Sequence, residues 1–179
     1  MNKFIAVILV LFSLPVFAIE SILEASAGKT TLFANKEPYP VAGLYGTLII
    51  KSHENSASHP TRFVIGLFDE NPNKYSFQVV LERIKDTDEY WLAYEYIKGS
   101  ELLLRIDIQS GIKQEQQIPF NFFYHKGGRL QISMFETVHF PVTNMKSKAP
   151  FFKATSGKAV LNYEYREAYW KEDVPTEAN

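Results

Sequence analysis

From Leu44 onward, apolar and polar residues alternate in short runs separated by turn-forming residues. Leu44 to Lys51 reads as a strand, and the polar stretch Ser52 to Thr61, with Pro60 near its end, as a loop. Arg62 to Phe68 places Phe63, Ile65 and Leu67 on one face. Asp69 to Lys74 is a turn of Asp, Asn and Pro. After it, Tyr75 to Glu82 sets Tyr75, Phe77, Val79 and Leu81 against Ser76, Gln78 and Glu82, so the two runs predict a hairpin. Beyond the charged turn Arg83 to Asp88, the run Glu89 to Ile97 puts Tyr90, Leu92, Tyr94 and Tyr96 on one side. Trp91, Ala93, Glu95 and Ile97 take the other. Lys98-Gly99-Ser100 is a tight turn. Glu101 to Ile108 then points Leu102, Leu104, Ile106 and Ile108 inward and Glu101, Arg105 and Asp107 outward. Gln109-Ser110-Gly111 reads as a turn. Gln117 to His125 and Arg129 to Phe135 flank the hairpin signal His125-Lys126-Gly127-Gly128. Thr137 to Pro141 is a short strand, Val142 to Gly157 a long loop, and Lys158 to Arg166 the last strand.

About nine strands spaced roughly 8–14 residues apart, with no apolar stripe of helical period, predict an all-β domain. Short turns between consecutive strands imply antiparallel pairing. An antiparallel two-sheet jelly-roll-like sandwich is the expected architecture, with a closed antiparallel β-barrel as the alternative. Residues 19–40 show weak periodicity: Ser21 to Ala25 fits one helical turn or an edge strand, and the regular pattern begins at Leu44.

The longest apolar run lies outside that pattern. Lys3, the unbroken run Phe4 to Phe12, the helix breakers Ser13 to Pro15 and the small-x-small step Val16-Phe17-Ala18 form a secretory signal peptide over residues 1–18. The run falls short of the roughly 20 apolar residues of a membrane span. The expected product is a single domain over residues 19–170, a polar disordered tail over 171–179, and a periplasmic or extracellular location without membrane insertion after cleavage. The chain has no cysteine, which removes disulfides, thiol nucleophiles, thiolate metal sites and a bacterial lipid anchor together. With no N-x-[ST] site either, a bacterial source fits best. The net charge is −1, and one unit more negative without Lys3, which argues against nucleic acid as a partner. Aromatic residues make up 15% of the chain and fall mostly in the alternating runs, as in a β-protein.

Two segments, Arg62 to Glu82 (RFVIGLFDENPNKYSFQVVLE) and Ile118 to Phe135 (IPFNFFYHKGGRLQISMF), resemble the concanavalin A-like and laminin G-like β-sandwiches. The first carries an apolar-Gly-apolar strand end leading through a turn into an alternating strand. The second is similar to that group's strand, glycine turn and g-x-l-x-i strand. The resemblance covers about a quarter of the mature chain and implies a sandwich. Members bind sugars, steroids or proteins, and some are glycosidases, so it leaves the task open.

Candidate chemistry is sparse. Asp69, Asn71 and Asn73 have the spacing that opens a calcium loop, but Lys74 and Val80 stand where the glycine and glutamate of an EF-hand belong, and such residues are ordinary turn formers. His53, His59, His125 and His139 make no zinc motif, and no G-x-S-x-G elbow is present. No cofactor or metal is implied. A glycosidase needs two carboxylates roughly 5–9.5 Å apart. Glu95, flanked by Tyr94 and Tyr96, is the carboxylate set deepest in an aromatic strand, although a place on the water face beside Lys or Arg neighbours is the plainer reading. If Tyr90, Tyr94 and Tyr96 fill the core, Trp91 and Glu95 face out together. A ring on which a sugar stacks, beside a carboxylate that accepts hydroxyl hydrogen bonds, suits a glycan. Tyr163, Tyr165, Tyr169 and Trp170 would extend that surface, whereas core aromatics are the common alternative. The candidate ligand-binding residues are Trp91, Glu95, Tyr165 and Trp170.

The leading expectation is an exported glycan-binding protein with no evident catalytic motif. A cell-envelope protein-interaction or inhibitor module, using a strand edge or the Val142 to Gly157 loop, is the first alternative. A polysaccharide hydrolase is the second.

Overall fold

A computed structural model of the chain describes residues 19–34, 41–54, 59–68, 75–125, 129–141 and 149–167. The expected signal peptide, the Asp69/Asn71/Asn73 turn, the tail and Trp170 lie outside the described residues. The strands in chain order are β1 (Ile19–Ala34), β2 (Val41–His53), β3 (Arg62–Phe68), β4 (Tyr75–Arg83) and β5 (Glu89–Lys98). They continue with β6 (Glu101–Lys113), β7 (Gln117–His125), β8 (Arg129–Met134), β9 (Glu136–Pro141) and β10 (Ala149–Glu167). Every pairing is antiparallel. The fold is all-β, a curled jelly-roll sandwich, as the alternation predicts.

The hydrogen-bonded order is β6-β5-β4-β3-β10-β2-β7-β8-β9, with β1 added along β10. The long strand β10 joins the two layers. It pairs with β3 over residues 149–155 and with β2 over 157–167, while β1 runs beside both halves. With one edge of β10 taken by β1, β3 and β2 share the other, and the sheet forks there. The fork is built at Ser156, whose φ is +49°, and Gly28, whose φ is +72°. The Gly28 amide donates to Ser156 Oγ at 2.9 Å, and the Ser156 carbonyl accepts from Thr61 Oγ1 at 2.6 Å and from the Glu54 amide at 2.9 Å. These bonds satisfy backbone groups where two strands part company, which would otherwise be left without partners.

The inner faces of the layers meet in one core. Phe63, Ile65, Phe77, Val79, Tyr90, Leu92 and Tyr94 from one side pack with Leu44, Leu48, Ile118, Phe122, Leu130 and Ile132 from the other. Each such side chain contributes about 1.5–3 kcal/mol when fully buried. Phe77 stacks on Tyr96 with ring centroids 4.3 Å apart and tilts against Phe140 at 5.2 Å. Tyr94 Oη accepts the Met134 amide at 2.9 Å and donates to the Glu136 carbonyl at 2.7 Å, which fixes β5 to the β8–β9 turn.

One open alternative is decided and three expectations are corrected. Residues 19–34 are weakly periodic, and of the two readings of Ser21 to Ala25, one helical turn or an edge strand, the second holds within β1. As an edge strand paired only with β10 it alternates strictly around Leu23 and Ala25 alone, and Ile22, Leu32 and Phe33 are exposed. The loop expected over Val142 to Gly157 is strand from Ala149 onward. Proline near a strand start and the small, polar Lys153-Ala154-Thr155-Ser156-Gly157 hide it from an alternation pattern, because this half of β10 is held between two strands by its backbone. Gln109-Ser110-Gly111 belongs to β6, where Gly111, with φ +79°, accommodates bulged pairing with β5. The inward placement of Leu102 and Leu104 also fails. β6 is the outermost strand, a further bulge falls between Tyr96 and Ile97, and Leu102, Leu103 and Leu104 are all exposed.

Candidate functional site

β5 alternates as the sequence implies, with Tyr90, Leu92 and Tyr94 buried in the core and Trp91 and Glu95 on the outer face. Burial pushes the Tyr94 phenol up to about 12, partly offset by its backbone hydrogen bond, so it stays protonated as a structural donor. Outer-face neighbours follow from register: Gln78 lies opposite Glu95 on β4, Arg105 opposite Glu95 on β6, Glu82 opposite Trp91, and Asp107 opposite Ala93. The structure brings Trp91 and Glu95 onto one face and joins them through two residues of β6.

Glu95 is 3% exposed, a covered position rather than one on the water face. Its Oε2 accepts Arg62 Nη2 at 2.8 Å and Gln78 Nε2 at 2.6 Å, and its Oε1 accepts Arg105 Nη1 at 2.9 Å. Arg105 Nε donates onward to Asp107 Oδ1 at 2.9 Å, and the same oxygen accepts the Trp91 indole N–H at 2.8 Å. A buried carboxylate thus orients two guanidinium groups, and one of these fixes the aspartate that orients the indole. The Arg105 hydrogen bond, with help from Trp91, holds the Asp107 carboxyl below its ordinary value. Burial works against the Arg105 charge, but Asp107, Glu95 and Glu82 outweigh it and raise its pKa.

Chemically, Glu95 is occupied. Both of its oxygens face cationic or amide donors, which leaves it a fixed counter-ion rather than a carboxylate poised to move a proton. Trp91 is different: it is 36% exposed on the rim of an open groove of about 1020 Å³, whose walls include Pro60, Thr61, Glu82, Arg105 and Asp107. An indole anchored through its N–H leaves a ring face for stacking, and the charged groups around it offer both donors and acceptors. A smaller hollow of about 500 Å³ beside Thr87, Glu89 and Gln114 has no aromatic wall.

Tyr165 pairs with Leu44 on the half of β10 that belongs to the other layer, and Trp170 lies outside the described residues. The residues missed by reading single strands were Arg62, Gln78 and Lys153, together with the partnership of Arg105 and Asp107. Their signal is cross-strand, with opposite charges and an amide at matching outer positions of β3 to β6 and of β10. It becomes visible only once the register is known.

No family model and no curated protein matches the chain. Solved structures do. A galectin of Caenorhabditis elegans aligns with 83% of this chain and 96% of its own at 14% identity, with a TM-score of 0.50. A single-site variant of congerin II covers 77% of this chain and all of its own at 12% identity and a TM-score of 0.50. An alginate lyase of Pseudomonas aeruginosa aligns over 73% of this chain and 69% of its own at 11% identity, with a TM-score of 0.55. The fold is a galectin-type jelly roll. At these identities the likeness is one of architecture, and it agrees with the sandwich that the two resembling segments imply.

Proposed function

We propose that this chain is a glycan-binding protein that holds a sugar in the groove over β4, β5 and β6. The single observation that carries this reading is Trp91, whose indole is fixed by Asp107 at the rim of a groove lined with hydrogen-bonding side chains. A sugar ring stacking on Trp91 would place its hydroxyls toward Asp107, Arg105 and Glu82. Glu95 acts one step removed, by holding Arg105 and Arg62 in place. Support also comes from the company the fold keeps: one neighbour is by name a galectin, and another an alginate lyase. Residues 1–18 direct the chain out of the cytoplasm in this reading, so the mature protein begins at Ile19 and meets glycans of the envelope or exterior.

The test is retention on a panel of immobilised oligosaccharides, comparing the mature chain with Trp91→Ala. A stacked ring contributes about 1–2 kcal/mol, so the variant should bind its best glycan roughly tenfold or more weakly. Equal retention by both proteins would remove Trp91 from the site and the reading with it.

A further inference from the structure

Three cations share the outer face around Glu95: Arg62 on β3, Arg105 on β6 and Lys153 on β10. Two of them are accounted for. Arg105 is shared between Glu95 and Asp107, and Arg62 reaches Glu95 through Nη2. Lys153 is not. Its side chain is partly buried, and it makes no hydrogen bond or ion pair with any described residue. It lies opposite Val64, two residues along β3 from Arg62 and on the same face. The Arg62 Nε–H is buried with no hydrogen-bond acceptor, its nearest carboxylate oxygen being Glu82 Oε2 at 3.8 Å.

An ammonium taken partly out of water beside a guanidinium is an unfavourable arrangement unless an anion completes it. Glu95 does not complete it, because its oxygens already accept three donors. Burial and then the neighbouring Arg62 lower the Lys153 pKa against the opposing pull of Glu95. Both groups lie on the β3–β10 side of the cluster: Arg62 stands in the same cross-strand row as Trp91, with Glu82 between them, and Lys153 one strand further on.

We propose that Arg62 and Lys153 form an anion subsite that takes the carboxylate or sulfate group of an acidic sugar, so that the glycan bound along this face is a polyanion. The proposal rests on the glycan-binding reading and narrows its ligand class. Trp91 stacks one sugar ring, and the cation pair holds the charged substituent of another residue of the same chain. Guanidinium and ammonium together suit oxyanions, the first by its fork of donors and the second as a point charge.

The experiment measures binding of the full chain to three oligosaccharides of equal length: an oligogalacturonate, a dextran sulfate fragment and a neutral dextran fragment. It uses wild type, Lys153→Met, Lys153→Arg and Trp91→Ala. At least one acidic probe should bind about tenfold or more tightly than the neutral one, with an affinity that falls as salt rises. Which acidic probe wins separates carboxylate from sulfate. Lys153→Met should weaken that acidic probe about tenfold and leave the neutral one unchanged, while Lys153→Arg keeps most of the affinity. The subsite is overturned if acidic and neutral probes bind alike, or if Lys153→Met leaves acidic binding intact. Where binding nonetheless depends on Trp91, the glycan reading survives that failure. If none of the three probes binds, both readings fail together.

Discussion

Glu95→Ala is the most informative perturbation of the outer face, because this carboxylate holds the cluster together. It removes three hydrogen bonds at once, from Arg62, Gln78 and Arg105. Hydrogen bonds to a charged group contribute about 1.5–3 kcal/mol each, and removing one partner of a buried pair costs about 3–5 kcal/mol. Those figures need discounting here. The Arg62 and Arg105 side chains are 35% and 31% exposed, so water can take up part of what they lose. The buried Gln78 amide gains no such relief. A net destabilisation of about 2–3 kcal/mol follows. For a chain of this size it corresponds to a Tm lower by roughly 4–12 °C. Thermal unfolding followed by circular dichroism reads this directly, and urea titration checks that the midpoint moves without a change in slope. Adding Arg105→Ala closes a double-mutant cycle, in which the two changes together should cost clearly less than their sum. A Glu95→Ala protein that melts within a degree or two of the parent, or above it, would refute the claim that Glu95 organises this face.

The acid response of the indole gives a second prediction. Asp107 has its folded-state pKa depressed, chiefly by Arg105 and then by Trp91, so its contribution is present above the unfolded value and is lost as pH falls through the folded one. In a Trp170→Phe background, the Trp91 emission should change with a midpoint below 3.8, the ordinary aspartate value, and a midpoint at or above it would sever the link to Asp107. Gly46→Ala should be among the most damaging small substitutions in the sheet. Its Cβ would lie 2.1 Å from the Asn162 carbonyl oxygen on β10, a backbone atom that cannot swing away, so a loss of about 3 kcal/mol or more is expected in urea unfolding. Gly111→Ala would meet only Glu89 Oε2, at an ordinary contact distance of 3.9 Å, but has φ +79°, so it should cost about 1 kcal/mol by the same assay.

Much of this molecule is legible in its alternation. The runs from Arg62 to Glu82 and from Glu89 to Ile97 predict the strands and their inward residues, because each strand is paired on both sides and turns its large apolar side chains to the core, while Val64 and Val80 on the outer face are covered in a small cluster with Phe151. Pattern loses its hold where burial does. Among the described residues β6 has a neighbour on one side only, and Leu102 and Leu104 are exposed although the alternation points them inward. The first half of β10 is specified by hydrogen bonding to β1 and β3 more than by apolar side chains, so Lys153 to Gly157 looks like loop. The site was half visible for the same reason. Alternation puts Trp91 and Glu95 on one face of one strand. Arg62, Gln78 and Lys153 come from three other strands, and no single-strand reading carries the register that aligns them. Glu95 is covered rather than solvated because that register surrounds it with two arginines and a glutamine.

The central claim is that a glycan lies against Trp91. Titrating the Trp170→Phe chain with oligosaccharides, neutral and acidic, while recording tryptophan emission tests it with a single reporter. The expected result is a saturable change in intensity or wavelength that disappears when Asp107 is replaced by alanine, since that carboxylate fixes the indole. Oligosaccharide binding detected by calorimetry with no change in Trp91 emission would place the ligand elsewhere and contradict the assignment of this groove.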